Sequence, residues 1–279
     1  MDEHFRAFSF VDRITSVQPG VRVRGIYQIP SGLESFSSSL VAEAVGQLAA
    51  WSAMAALDFK VRPVAGLAGR IEWLAPVRPG QTLELAADLD SADADAVSYG
   101  GTASVEGKLV IRLEHCVGPM MPLEEFDDPQ ALRARFAVLC GRGATPGGFG
   151  GISLLPFART NGEPGRSVRA TLKVPASAPF FADHFPRRPV FPGTLLMNLK
   201  LQLVAALAAE IPAPAGGCWN LKSVSDVKLR AFISPGESLE LEVRLHERAD
   251  DSATVIVETR KGTKLVGGAR VLLVPEERR

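Results

Sequence analysis

A repeat constrains this chain more than any other feature, because landmarks that recur in order imply two copies of one structural unit. Gln18-Pro19-Gly20 leads into Val21-Arg22-Val23-Arg24 and ends at Pro30. Glu163-Pro164-Gly165 leads into Arg166-Ser167-Val168-Arg169 and ends at Pro175. From Pro19 to Pro164, Arg24 to Arg169 and Pro30 to Pro175 the separation is 145 residues throughout. An apolar helix follows each copy, over about Ser39 to Asp58 and about Thr194 to Glu210, where Pro212 stops the second. Neither helix has a polar face of normal width, so each is expected to be wrapped by protein. Glu43 and Gln47 of the first align with Asn198 and Gln202 of the second, now 155 residues apart. A Pro-Gly turn and an alternating strand come next in both copies, Arg78-Pro79-Gly80-Gln81-Thr82-Leu83-Glu84-Leu85 and Ser234-Pro235-Gly236-Glu237-Ser238-Leu239-Glu240-Leu241. Two more strands close each half, about Ser98–Val105 with Lys108–Cys116, and Ala253–Thr259 with Lys264–Val274.

Each half therefore reads as a strand, a buried helix and three or four further strands. One buried helix wrapped by an antiparallel sheet is the hot-dog architecture, so the expectation is an α+β double hot-dog. Its parts are an N-terminal hot-dog domain over 1–117, a linker over 118–151 and a C-terminal hot-dog domain over 152–279. In the linker, Asp128 before Pro129 is an N-cap and first-turn pair, which predicts a short helix to about Leu139. The Gly-rich stretch Gly141–Gly151 is expected to be flexible. A single α+β domain with accidental similarity is the alternative.

Composition excludes several functions. Acids and bases balance at 31 each and the isoelectric point is near 6.9, so nothing asks for nucleic acid or a membrane surface as partner. Cys116, Cys140 and Cys218 are odd in number and widely spaced, which argues against a disulfide framework or a zinc site. The start Met1-Asp2-Glu3-His4-Phe5 lacks the basic and apolar regions of a signal peptide, and no run of eighteen apolar residues occurs. The expectation is a soluble, cytoplasmic protein.

The ten residues by which the offset grows between Pro30/Pro175 and Glu43/Asn198 lie in the second half. That region reads Phe180-Phe181-Ala182-Asp183-His184-Phe185-Pro186-Arg187-Arg188-Pro189-Val190-Phe191-Pro192-Gly193. It strongly resembles the F-F-x-G-H-F-P-x-x-P-V-M-P-G signature of the FabA/FabZ-type 3-hydroxyacyl-ACP dehydratases. Phe10-Val11-Asp12-Arg13 also resembles the segment that opens the family's domain. The resemblance implies a catalytic histidine at His184 and a catalytic glutamate fourteen residues later, at the head of an E-A-x-x-Q stretch. That later position is Asn198 in the second half, whereas the first half reads Glu43-Ala44-Val45-Gly46-Gln47. One half has kept the acid and the other the histidine. Family dimers assemble each site from both subunits, so His184 and Glu43 are expected to face each other between the halves, in a single composite site.

The chemistry needs these residue types. Dehydration removes a proton from C2 and expels the 3-hydroxyl, which calls for a base near neutral pKa and for an acid. A glutamic acid in an apolar setting serves as that acid, and Ala42, Ala44, Val45 and Leu48 suggest such a setting. Gly193 and Thr194 open the second helix, whose free N–H groups and dipole suit a thioester oxygen. Phe185 and Gln47 complete the expected substrate contacts. No metal or cofactor is implied. The implied substrate is an acyl-ACP or acyl-CoA, with an acyl carrier protein as partner, and the molecule is either a monomer of two hot-dogs or a homo-oligomer of them. Arg187 and Arg188 stand beside the expected mouth, as solvated charges or as contacts for an acidic carrier. His4, His115 and His246 match no motif. The alternatives are a structural histidine at His184, a dipole-stabilising acid at Glu43, a hot-dog thioesterase, and a non-catalytic acyl-binding partner of a synthase. Two departures from the signature stand out: Asp183 replaces the glycine before the histidine, and Phe191 replaces methionine.

Overall fold

Strand alternation and two long apolar helices dictate the architecture. The computed structural model describes residues 5–153, 155, 157–160, 162–214 and 217–276, so His4 lies outside the described residues. In the first half, β1 (Arg13–Gln18) and β2 (Arg22–Gln28) precede helix α1 (Ser38–Ala56). Then come β3 (Val61–Pro63), β4 (Leu67–Trp73), β5 (Thr82–Ala92), β6 (Ala96–Val105) and β7 (Lys108–Pro122). A 3-10 turn at Leu123–Glu125 and helix α2 (Pro129–Cys140) lead to the second half. There β8 (Phe157–Thr160), β9 (Ser167–Lys173), a 3-10 turn at Pro179–Ala182 and helix α3 (Gly193–Ala208) precede β10 (Trp219–Leu229), β11 (Ser238–Arg248), β12 (Ala253–Lys261) and β13 (Lys264–Pro275).

The strands form one antiparallel sheet in the order β1-β2-β5-β6-β7-β4-β10-β13-β12-β11-β9-β8, with β3 paired to β7 off that path. The order reads the same from either end once each strand is replaced by its counterpart, so the two halves are related by a pseudo-two-fold axis. The junction is β4 against β10, where Arg70 pairs with Ser225. The 155-residue offset of the helices carries Arg70 onto Ser225, which puts the axis through that pair. The chain is thus a double hot-dog: α1 and α3 pack against each other under the joined sheet, and buried residues of both halves share one core.

Local sequence explains the elements. In β11, Leu239, Leu241 and Val243 turn inward while Glu240 and Arg244 point out. Gly80 and Gly236 of the two Pro-Gly turns have φ of +85° and +79°, which only glycine adopts without strain. Gly101 lets α1 lie close to β6, since a Cβ there would stand 2.5 Å from Val45 Cγ1. Asp128 caps α2 as expected, accepting from the N–H groups of Gln130 and Ala131 at 2.8 and 3.0 Å.

The structure departs from the sequence reading in three places. β4 and β10, the strands that join the halves, went unread. Bulges in β10 between Leu221 and Ser223 and between Ser225 and Lys228 break its alternation. β7 runs on to Pro122, past the expected end of the first half, because β3 pairs with Met120, Met121 and Pro122. The stretch Gly141–Gly151 is anchored rather than loose at Phe149. That ring is buried, 5.0 Å from Phe10 and 6.1 Å from Phe36 in edge-on contacts worth about 0.5–1.5 kcal/mol each.

Candidate active site

The loop after the Pro179–Ala182 turn folds on itself and fixes one imidazole. The His184 N–H donates to the Phe180 carbonyl at 2.9 Å, and the Val190 N–H donates to the His184 carbonyl at 3.1 Å. Nδ1 of the ring lies 2.8 Å from the Val190 carbonyl oxygen. A carbonyl only accepts, so Nδ1 carries the proton and Nε2 keeps its lone pair. The ring stacks on Phe185 at 4.2 Å and meets Phe8 edge-on at 5.5 Å. Burial holds the imidazole below its ordinary pKa of 6.5, against the upward pull of the Glu43 carboxylate and the Val190 bond, while Arg62 adds to the lowering.

Glu43 comes from α1, in the other half. It lies beyond the first turn, which carries no acid, so the alternative of a dipole-stabilising acid does not fit. Gln47 Nε2 donates to Glu43 Oε1 at 3.0 Å, and the Thr194 hydroxyl donates to Glu43 Oε2 at 2.8 Å. The amide orientation is fixed by the backbone: Gln47 Oε1 accepts from Phe10 N–H at 2.8 Å and Nε2 also donates to the Phe8 carbonyl at 2.9 Å.

All six residues named from the sequence, His184, Glu43, Gly193, Thr194, Phe185 and Gln47, line one cavity of about 270 Å³ between the halves. Gly193 and Thr194 open α3, which has no side-chain cap, so its first N–H groups lack intrahelical partners. The apolar wall runs along the β4–β10 junction through Leu67, Ile71, Trp73, Val227 and Leu229. Tyr99 and Cys116 also line it; they bond to each other, and burial keeps both protonated. Asn198 and Gln202 do not line this cavity, and Gln202 is exposed.

Sequence reasoning missed Arg62. It lies on β3, which has no counterpart among the described residues of the second half, and a lone arginine in Lys60-Val61-Arg62-Pro63 reads as a solvated charge. Its guanidinium instead lines the cavity, 3.9 Å above the Phe185 ring and 3.7 Å from Asp127. Burial pushes it down to about 10, opposed by the charges of Asp127 and Glu43. Its Nε and Nη1 are buried without a hydrogen-bond partner.

The two departures from the signature have structural explanations. The Asp183 carboxylate accepts from the N–H groups of Phe5 and Phe8. Phe191 is buried in the aromatic wall, 5.9 Å from Phe180. Arg187 bonds Asp128 and the Glu124 carbonyl, at 3.1 and 3.0 Å, and Arg188 reaches Glu125 at 3.3 Å. These arginines are thus partly engaged with the linker. His115 and His246 are exposed on strands. No helix among the described residues is long and apolar enough to cross a membrane.

The fold, with a histidine of one half and a glutamate of the other lining one cavity, defines a double hot-dog protein. Known proteins narrow it. The ApeI dehydratase family model matches residues 160–268. The 3-hydroxyacyl-[acyl-carrier-protein] dehydratase FabZ of Lactiplantibacillus plantarum is 32% identical over 101 residues, which are 36% of this chain and 69% of that protein. FabZ of Pediococcus pentosaceus is 30% identical over 112 residues, 40% of this chain and 75% of that protein. The chain belongs to the family of these FabZ proteins. Over nearly its whole length it has the fold of the 12:0-ACP thioesterase from Umbellularia californica (TM-score 0.55, 10% identity, 91% of this chain and 94% of that one). A hot-dog protein of Alicyclobacillus acidocaldarius gives a TM-score of 0.53 at 11% identity, covering 98% of both chains. At such identities these two likenesses speak for the double hot-dog fold alone.

Proposed function

We propose that the chain is a 3-hydroxyacyl-thioester dehydratase with one composite site, forming a trans-2-enoyl thioester from an acyl-ACP or acyl-CoA. The observation that carries the reading is that His184 of one half and Glu43 of the other line the same cavity, each held in place by hydrogen bonds. His184 Nε2 takes the C2 proton, and the C–H electron pair becomes the C2=C3 bond as the C3–O bond breaks. Glu43 gives its carboxyl proton to the departing hydroxyl, which leaves as water. The N–H groups of Gly193 and Thr194 receive the charge that develops on the thioester oxygen. Transfer of the proton from imidazolium to carboxylate resets the pair. Both ends of the Gln47 amide are taken by the protein, so its part is to hold Glu43 rather than to touch substrate. Phe185 stacks on the imidazole, and the Arg62 guanidinium lies over the same phenyl ring.

The test is incubation with a 3-hydroxyacyl thioester, on CoA and on a carrier protein, following enoyl absorbance and free thiol together. Enoyl product without thiol release is expected. Thiol release without enoyl product would make the protein a thioesterase, and neither signal, with acyl binding retained, would make it a non-catalytic acyl-binding partner.

A further inference from the structure

Residues 5–10 cross between the two halves over the site, and the groups that fix them stand next to the reacting pair. Asp183, which precedes His184, accepts from the Phe5 N–H and, at 2.7 Å, from the Phe8 N–H, with Ser9 Oγ 3.4 Å away. Gln47, one helical turn beyond Glu43, holds the Phe8 carbonyl and the Phe10 N–H at 2.9 and 2.8 Å. The segment is pinned on one side to the histidine loop of the second half and on the other to the acid-bearing helix of the first. Between the pins, the Phe8 ring is 2% exposed and stands edge-on to the imidazole. Helix α2 supports the arrangement from behind. Arg135 lies 5.0 Å over the Phe5 ring, within electrostatic reach of Asp183 and Asp12. The Phe5 ring is 6.5 Å from Trp51 of α1, which stacks on Phe136 of α2.

We propose that Asp183 is a positioning residue of the site: it anchors the N-terminal segment so that Phe8 shields His184 from water and Gln47 stays locked on Glu43. A carboxylate beside a catalytic imidazole would ordinarily be expected to act on it by charge. Here both its oxygens are turned to N–H groups of the segment. The charges that bear on the imidazole are Glu43 from α1 and Arg62 from β3, with Asp127 facing Arg62 and Arg135 facing Asp183. Asp183 acts on His184 through the phenyl ring it holds in place. Losing the anchor admits water to the ring, and a hydrated imidazole takes a proton more readily.

The experiment titrates the His184 ring by NMR, identifying its signal as the one missing in His184→Gln, in the parent and in Asp183→Ala, Asp183→Asn, Phe8→Ala and Arg135→Gln. In the parallel kinetic arm, which rests on the dehydratase reading, kcat and KM are measured for each. The His184 midpoint is expected to rise in both Asp183→Ala and Phe8→Ala, and kcat to fall by about tenfold or more with a smaller change in KM. Asp183→Asn keeps an oxygen acceptor and is expected to recover part of both effects. Arg135→Gln is expected to move the midpoint the same way by less, and it carries the test if Asp183→Ala does not fold. A direct charge effect of Asp183 would instead lower the midpoint in Asp183→Ala while Phe8→Ala raises it, and that result overturns the proposal. An unmoved midpoint and unchanged kcat in Asp183→Ala overturn it as well. A parent protein that turns over no 3-hydroxyacyl thioester would sink the dehydratase reading alone, since the NMR arm stands without turnover.

Discussion

At the scale of residues, the proposed reaction gives two side chains of one cavity, His184 and Glu43, opposite proton roles. His184→Ala and Glu43→Gln are each expected to lower the dehydration rate by at least about a hundredfold in folded protein. Their effects are not expected to multiply in the double variant, because the groups act as one unit; near-normal turnover by Glu43→Gln would place the acid elsewhere. The pH dependence follows from burial. The base must be neutral, and burial lowers its pKa, so the acid limb of kcat/KM is expected below 6.5, the ordinary value for imidazole. Arg62 contributes to that lowering, so in Arg62→Met the limb is expected to move to higher pH. A shift to lower pH would mean that Arg62 acts on the site in another way. The residues whose chemistry is local to a motif were legible in the sequence. His184, Glu43, Gln47, Gly193 and Thr194 were all named there and all line one cavity. Arg62 and Asp183 were not assigned, because their partners, Phe185 and Phe8, lie 123 and 175 residues away along the chain.

At the scale of elements, most helices and strands were legible because their periodicity is clean. α1 and α3 were placed within two residues at either end, and the Pro-Gly turns located β5 and β11. Short or bulged pieces were not: β3 has three residues, and β10 loses its alternation at its bulges. The capping of α2 is a local claim with a local test. Asp128 supplies acceptors for two first-turn N–H groups, so Asp128→Ala is expected to destabilise the protein by about 0.5–2 kcal/mol in chemical denaturation. An unchanged denaturation midpoint would show that α2 is held by its packing alone.

At the scale of the whole molecule, pseudo-symmetry holds for the fold and fails for the site. The position related to Glu43 is Asn198, and the first half lacks the loop that would face it with a histidine. A mechanism-based inactivator that alkylates the catalytic histidine is therefore expected to titrate one equivalent per chain, with none in His184→Ala. Asn198→Glu should leave that stoichiometry unchanged, since an acid without a base restores half of the chemistry; two equivalents would refute the single-site reading. The hydrogen bonds from Phe5 and Phe8 to Asp183 span 178 and 175 residues of chain. A ribosome adds about 5–20 residues per second, so roughly 10–35 s pass between emergence of the first aromatic residues and arrival of their acceptor. During that interval the nascent first half has an unpaired β4 edge and an α1 without its mate, surfaces that chaperones bind. The cavity is thus completed last in the life of each new molecule, and a chain truncated before its histidine loop lacks both the imidazole and one of the two pins on residues 5–10.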